Sequence, residues 1–530
     1  VEITRTGGIY PVLTMNRVSN AAGVRCYEGS GACFFFETKR LVARNRDLRL
    51  GMFWLAFIFV IALTPWLLPM ARHLRLMTAV FGMLILGTVF GPSFFSIPGP
   101  IQISLDRIVW GCVMLMLAAR LVRSSETMDR IHRLDVVVFA LTAWTLLSCV
   151  RFGMFNADQP PLARWLFYIA MPAALYFVMR TSIASDPDRV REAMDRLVTL
   201  LLVLGTYLSI TGVFEMLDLR ALVFPRFIND PTVWEFYGRG RGPLLNPAGN
   251  GIVITLGLSA CVIRFFHASR HGKVLYGLLA LIALAGCYST LTRSVWVGAV
   301  LCLAFLGMLY APVKVRLVAL GMVIVFAVSM TMGLKEQLFS MKRDKALSAA
   351  EAAKSVELRP LLATVAWEMF LDRPIGGHGY GQYMKSAEPY HSIRKHGIPL
   401  ENARPYVQHN VFLALLVDLG LIGSSLHLLF LVSIACIAWQ LSRAHPDGSY
   451  QRQVGMLMIG FLASYFSNGM FHDVSVIEMV HTYLFVLGGM TVTVWANSDC
   501  RIGSGDRESD RRASGRRGEV VSGWNGHVAS

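Results

Sequence analysis

Apolar runs of about 20 residues, the length a membrane helix needs, alternate with polar connectors along this chain. They fall at 51–70, 76–93, 104–120, 134–152, 161–180, 196–217, 248–266, 274–291, 294–311, 315–333, 421–440, 454–471 and 478–496. At about 1.5 Å of rise per residue, a helix of this length crosses a hydrocarbon core of roughly 30 Å. The runs lack the alternation of a membrane β-barrel, and an open strand would leave its backbone groups unsatisfied in lipid. The pattern predicts an all-α polytopic membrane protein with twelve spans counted from residue 76. The run at 51–70 is a possible thirteenth. A full span there would export Lys39, Arg40, Arg44 and Arg46, so spanning, re-entrant and interfacial placements all stay open.

The connectors orient the bundle, because Lys and Arg close to helix ends are retained in the cytoplasm. Arg72 and Arg75, Arg120 to Arg133, Arg264 to Lys273, Lys314 to Arg316 and Arg443 to Arg452 all fall on one side when twelve spans are counted. That side is expected to be cytoplasmic, which leaves 94–104, 218–247 and 333–420 facing outward. The chain then divides into an N-terminal extension expected to be disordered (1–50), a first transmembrane bundle (51–333), a large periplasmic loop or cap (334–420), C-terminal transmembrane helices (421–496) and a disordered cytoplasmic tail (497–530). Within the cap, Ala346 to Ser355 is helix-forming and Pro360 to Leu371 places apolar residues at helical spacing. A loop of this size in a packed protein is usually functional.

Composition supports the membrane reading: 54% of the residues are hydrophobic and only 16% charged. The net charge of +16 could suggest nucleic acid, but the basic residues sit mainly in the short connectors. Orientation and membrane lipid explain them better, and no nucleic-acid partner is expected. The nine cysteines form no C-x-x-C pair and read as small core residues.

Candidate chemistry collects where the outward connectors meet the membrane. Gly238-Arg239-Gly240-Arg241-Gly242-Pro243 precedes Asn246-Pro247, and Thr292-Arg293-Ser294 interrupts the apolar pattern between two spans. An arginine costs about 2.5–3.5 kcal/mol at a helix centre on insertion scales and less toward the interface. Arg293 lies on the side where positive-inside anchoring gives it no support. The cap holds Arg359 and the run Arg373-Pro374-Ile375-Gly376-Gly377-His378-Gly379-Tyr380-Gly381, whose glycines read as a backbone turn after a helix rather than a dinucleotide loop. Gln408-His409-Asn410 marks the return to the membrane. Other signals point to structure: Asp186-Pro187-Asp188 reads as a helix cap followed by Pro at N1 rather than a metal-binding D-x-D, and His267 and His271 read as loop residues. No metal or cofactor site is expected. The G-x-S-x-G and phosphate-loop sequences are absent, so hydrolase and ATPase readings lose support.

In order along the chain, Gly242 to Asn246-Pro247, Leu291-Thr292-Arg293-Ser294-Val295-Trp296, Arg373 to Gly379, and His409-Asn410 with Asp418-Leu419-Gly420 form a pattern. Over roughly residues 100 to 495 the chain resembles the O-antigen ligase and polymerase superfamily of bacterial envelope glycosyltransferases. It departs from the family pattern at Ala248 and Ser294. The resemblance implies an inner-membrane enzyme that transfers a glycan from an undecaprenyl-pyrophosphate carrier to an acceptor hydroxyl, on lipid A-core, another glycan or a protein, at the periplasmic face. It implies His409 as general base and Arg293 as the catalytic cation, with Arg239, Arg241, Arg359 and Asn410 binding substrate. Pyrophosphate is already a good leaving group, so the paired carboxylates of glycosidases are not needed, and in-line attack predicts inversion. Two alternatives stay open: a polymerase of lipid-linked repeats and, in another class, a flippase or transporter of lipid-linked sugars.

Overall fold

The computed structural model describes residues 76–97, 103–122, 131–153, 160–182, 187–233, 236–310, 314, 316–317, 349–404 and 406–498. Apart from Ile97 these belong to one unit, Leu63–Ser96 with Ile103–Ser530. The expectations for 1–50, the run at 51–70, the span at 315–333, the cap residues before Pro187 and the tail beyond residue 498 lie outside the described residues.

The unit is all-α. Its helices are α1 (Leu76–Val89), α2 (Leu105–Val122), α3 (Arg133–Phe152), α4 (Pro161–Ser182, with a π turn at Leu166–Ala170), α5 (Pro187–Met216), α6 (Pro247–His267), α7 (Arg270–Ser289), α8 (Arg293–Tyr310), α9 (Ala349–Asp372), α10 (Val411–Ala444), α11 (Tyr450–Gly469) and α12 (Glu478–Ser498). The extended pieces among the described residues, Ser96–Ile97 and Ile103–Ser104, have two residues each. Among the described residues eight helices, α3 to α8, α10 and α12, are long and apolar enough to cross a membrane. Three more join the same core: α1 is 14 residues long, α2 carries Asp106, Arg107 and Arg120, and α11 opens on Tyr450-Gln451-Arg452-Gln453 yet is buried along most of its length.

Local chemistry explains where the helices start. Asn246 caps α6, its side-chain oxygen accepting from the amides of Ala248 and Gly249 at 3.0 Å, with Pro247 in the first turn where its missing N–H costs nothing. Asn410 caps α10 in the same way through Phe412 and Leu413. The apolar run at 421–440 therefore belongs to a helix that begins ten residues earlier, bent at Gly420, where φ is 64° and ψ −165°. The two helical stretches read in the cap form one helix, α9, which carries Pro360 within it. A second, smaller core packs Leu361, Leu362, Val365 and Met369 of α9 against Tyr383, Leu400, Ala403 and Val417.

The connectors gather at two ends of the bundle. At one end Arg264 pairs with Asp195 at 3.0 Å, Arg452 donates to the Leu309 carbonyl and His132 packs on Trp495; the described residues of the basic connectors lie here. Close by, Asp135 and Arg180, both buried, make a two-point ion pair at 3.0 and 3.1 Å, completed by the Tyr176 and Thr493 hydroxyls. The other end gathers the loops after α1, α5, α7 and α11 with the 373–410 segment: Phe94 meets Phe227, Gly240 bonds to Ser289, and Asn410 bonds to Met470.

Candidate functional site

The turn between α7 and α8 is held from outside. Leu291 has φ 48°, a left-handed conformation costly for a branched side chain. Arg239 fixes it, donating to the carbonyls of Thr290 at 3.2 Å and Leu291 at 3.3 Å and to the Thr292 hydroxyl. The amide of Gly240 adds a bond to the Ser289 carbonyl at 2.8 Å. Arg241 is fully buried, and its guanidinium donates to the carbonyls of Val233, Ile228 and Asp230. Both arginines were expected to bind substrate. Here the Arg239 guanidinium bonds to the turn before α8 and that of Arg241 to the loop before α6.

Arg293 opens α8 and is half-buried. Its neighbour Ser294 donates to the Asn468 side chain at 2.9 Å, and Ser467 donates to the Ser294 carbonyl at 2.7 Å. The first turn of α8 is thereby pinned to the last turn of α11.

The glycine-rich run and the bend in α10 interlock. Bending at Gly420 frees backbone groups that α10 would otherwise use internally. The segment 374–381 takes them: His378 and Gly379 amides donate to the carbonyls of Val417 and Asp418 at 2.8 and 3.0 Å, and the amides of Leu421 and Ile422 donate to those of Pro374 and Ile375 at 2.7 and 3.4 Å. The Asp418 carboxylate accepts from the Gly381 amide at 2.7 Å. The fit requires bare backbone, since a Cβ on Gly420 would stand 2.3 Å from the Ile375 oxygen and one on Gly377 2.5 Å from that of Asp418. His378 is buried, with its Nε2 donating to the Met369 carbonyl at 2.8 Å, a structural position.

His409 stands just before the Asn410 cap with φ 44°, a left-handed conformation of the kind that clusters at functional sites. Its ring keeps an exposed face, yet surrounding protein holds its pKa below the ordinary value of 6.5, first by desolvation and then through the Arg359 charge. Together these describe an accessible imidazole whose neutral form is favoured. Asn410 uses both ends of its side chain within the protein, its oxygen as the α10 cap and its nitrogen donating to the Met470 carbonyl at 3.1 Å. The Arg359 guanidinium lies 5.0 Å from the centre of the Phe471 ring.

The turn Asn468–Phe471 at the end of α11 therefore gathers the candidates. Asn468 holds the residue after Arg293, Met470 the residue after His409, and Phe471 lies against Arg359. The sequence reading missed this turn, which looks like the tail of an apolar run; Asn468-Gly469 is its one signal, a common way to end a helix. Among the described residues no group of three or more His, Cys, Asp or Glu is placed to hold a metal ion.

Residues 278–428 match the family model described as O-antigen ligase. No curated protein matches the chain. The matched stretch agrees with the resemblance carried by the motifs and contains Arg293, Arg359, the 374–381 segment that hooks onto α10, His409 and the bend at Gly420, whereas Arg239, Arg241 and the α11 turn lie outside it. Among the described residues the eight long apolar helices are those of a multi-pass membrane protein, and the likeness to O-antigen ligases lies on 278–428.

Proposed function

We propose that the protein is an O-antigen ligase-like glycosyltransferase that moves a glycan from undecaprenyl-pyrophosphate to an acceptor hydroxyl at the periplasmic face of the bacterial inner membrane. The observation that carries the reading is the gathering of Arg293, Arg359 and His409 around one turn of α11, all three within the O-antigen ligase match. The full count of twelve spans and the outward orientation of this end belong to the proposal and rest on the basic connectors at the opposite end.

In this mechanism the acceptor oxygen attacks the anomeric carbon as the bond to the pyrophosphate oxygen breaks, and the hydroxyl proton passes to neutral His409. Undecaprenyl-pyrophosphate leaves with the bonding pair. Arg293 and Arg359 hold its growing charge, because guanidinium groups stay charged in a low dielectric and bind phosphate oxygens at two points. Arg239 keeps the Arg293 turn in place, Arg241 holds the loop that carries Arg239, and Asn410 orients His409 by capping α10.

The experiment is transfer by the purified protein from a lipid-linked oligosaccharide, with lipid A-core and a second lipid-linked repeat offered as separate acceptors. Glycosylated lipid A-core with inverted anomeric configuration is expected. Extension of the lipid-linked repeat alone would reassign the protein as a polymerase, and turnover on neither acceptor would contradict the reading.

A further inference from the structure

Away from this site, one flank of the bundle joins a lipid-facing apolar surface to two exposed guanidiniums. α9 has unlike faces. One packs into the second core, and Glu368 beside it holds Lys395 and His396. The other shows Trp367 and Leu371 about half exposed and continues into Ile375, which is 66% exposed. The hook bonds carry this strip onto α10, since the carbonyls of Pro374 and Ile375 accept from Leu421 and Ile422, themselves exposed. From there an exposed row runs down α10 through Leu428, Leu429 and Val432. On the adjoining α3, Trp144 donates to the Leu419 carbonyl, and Leu147 and Val150 face outward. The apolar strip at 367–375 is thus continuous with the surface that two spans present to lipid.

Two cations stand on its rim. The guanidiniums of Arg151, in the last turn of α3, and Arg373 lie 5.4 and 5.8 Å from the centre of the same ring, Phe152. Arg151 also rests against Gly376, where a Cβ would come within 3.4 Å of its Nη1. The acid beside Arg373, Asp372, is 3.7 Å away, half exposed and already accepts the Tyr390 hydroxyl at 2.8 Å. Two like charges brought to one ring repel each other, and an anion between them removes that repulsion. Apolar side chains below and paired cations at the rim are the arrangement of a helix seated in a lipid interface.

We propose that the Trp367–Ile375 strip lies in the membrane interface and that Arg151 and Arg373 together bind the phosphate of an anionic phospholipid headgroup. Lipid held there braces Pro374 and Ile375, whose carbonyls support the bend of α10. This is independent of the glycosyl-transfer reading. The test uses the full-length protein carried in detergent with mixed phosphatidylglycerol and phosphatidylcholine, the retained lipid being counted by mass spectrometry. The wild type is expected to retain phosphatidylglycerol preferentially, and Arg151→Gln with Arg373→Gln to lower that preference on the order of tenfold, from about 1 kcal/mol per basic residue near a charged surface. Should the double variant fold poorly, quenching by brominated lipid gives a second readout. Brominated phosphatidylglycerol should quench the wild type more than brominated phosphatidylcholine does, and Trp367→Phe should remove the excess. Equal retention or equal quenching by the two headgroups would overturn the proposal. So would retention of added undecaprenyl phosphate in place of phosphatidylglycerol, which would assign the arginine pair to a lipid-linked substrate.

Discussion

At the residue scale the account rests on groups whose chemistry cannot be exchanged for mere charge. Arg293→Lys keeps the positive charge but loses the planar two-point contact, so transfer is expected to fall at least tenfold while the protein stays folded. Near-normal turnover in a rate assay would leave Arg293 an anchoring role only. Arg359 makes a different prediction. Its charge is the second cause, after desolvation, that holds the His409 pKa below the ordinary value. A neutral imidazole is the active form, so the rate falls on acidification with a limb below pH 6.5, near the unperturbed value. Arg359→Ala removes a repulsive charge, which raises the His409 pKa and moves that limb to higher pH; desolvation remains and keeps it below the ordinary histidine value. A limb that stays in place, or moves toward acid, would separate Arg359 from His409. Both residues stand out in the sequence because a titratable or charged side chain at a membrane boundary needs a reason to be there. The bonds of Arg239 to the turn before α8 and of Arg241 to carbonyls of its own loop are not legible there, since a guanidinium bonded to backbone leaves no pattern in the residues around it.

At the element scale the interlock of the 374–381 run with the bend of α10 sets where His409 stands. Gly420→Ala would place a Cβ against the Ile375 carbonyl in a left-handed backbone, strain on the order of 1–3 kcal/mol before any clash is relieved. A lowered thermal midpoint is expected, with reduced transfer. Gly307→Ala on α8, where a Cβ meets nothing within 4 Å, is the control and should be neutral or slightly stabilising through helix propensity. Equal midpoints for the two variants would show that the interlock is not needed. Most helices were legible as runs of apolar residues, because lipid enforces that pattern regardless of packing detail. The start of α10 was not, since Asp418 and Gly420 interrupt the hydropathy while the cap at Asn410 and the bonds from the hook hold the helix across them. The turn ending α11 escaped for the opposite reason: Met470 and Phe471 extend an apolar run, and only the fold brings Asn410, Arg359 and Ser294 to it.

At the scale of the whole molecule, the described residues of the basic connectors lie at one end and the candidate site at the other, so the orientation follows if Lys and Arg are retained inside. Reporter fusions after Ile398 should register the periplasm and fusions after Arg443 the cytoplasm; opposite signals would put the site on the wrong side for a lipid-linked donor presented outside. Function then depends on the intact protein holding the donor in one place and activating the acceptor in another. The most direct measurement is single-turnover transfer by the wild type and His409→Ala, with binding of the undecaprenyl-pyrophosphate donor followed in the same preparations. With His409 as the base and arginines as the pyrophosphate clamp, His409→Ala binds donor as the wild type does while transfer falls by roughly 10²–10⁴. Transfer by His409→Ala at the wild-type rate, in folded protein, would contradict the account.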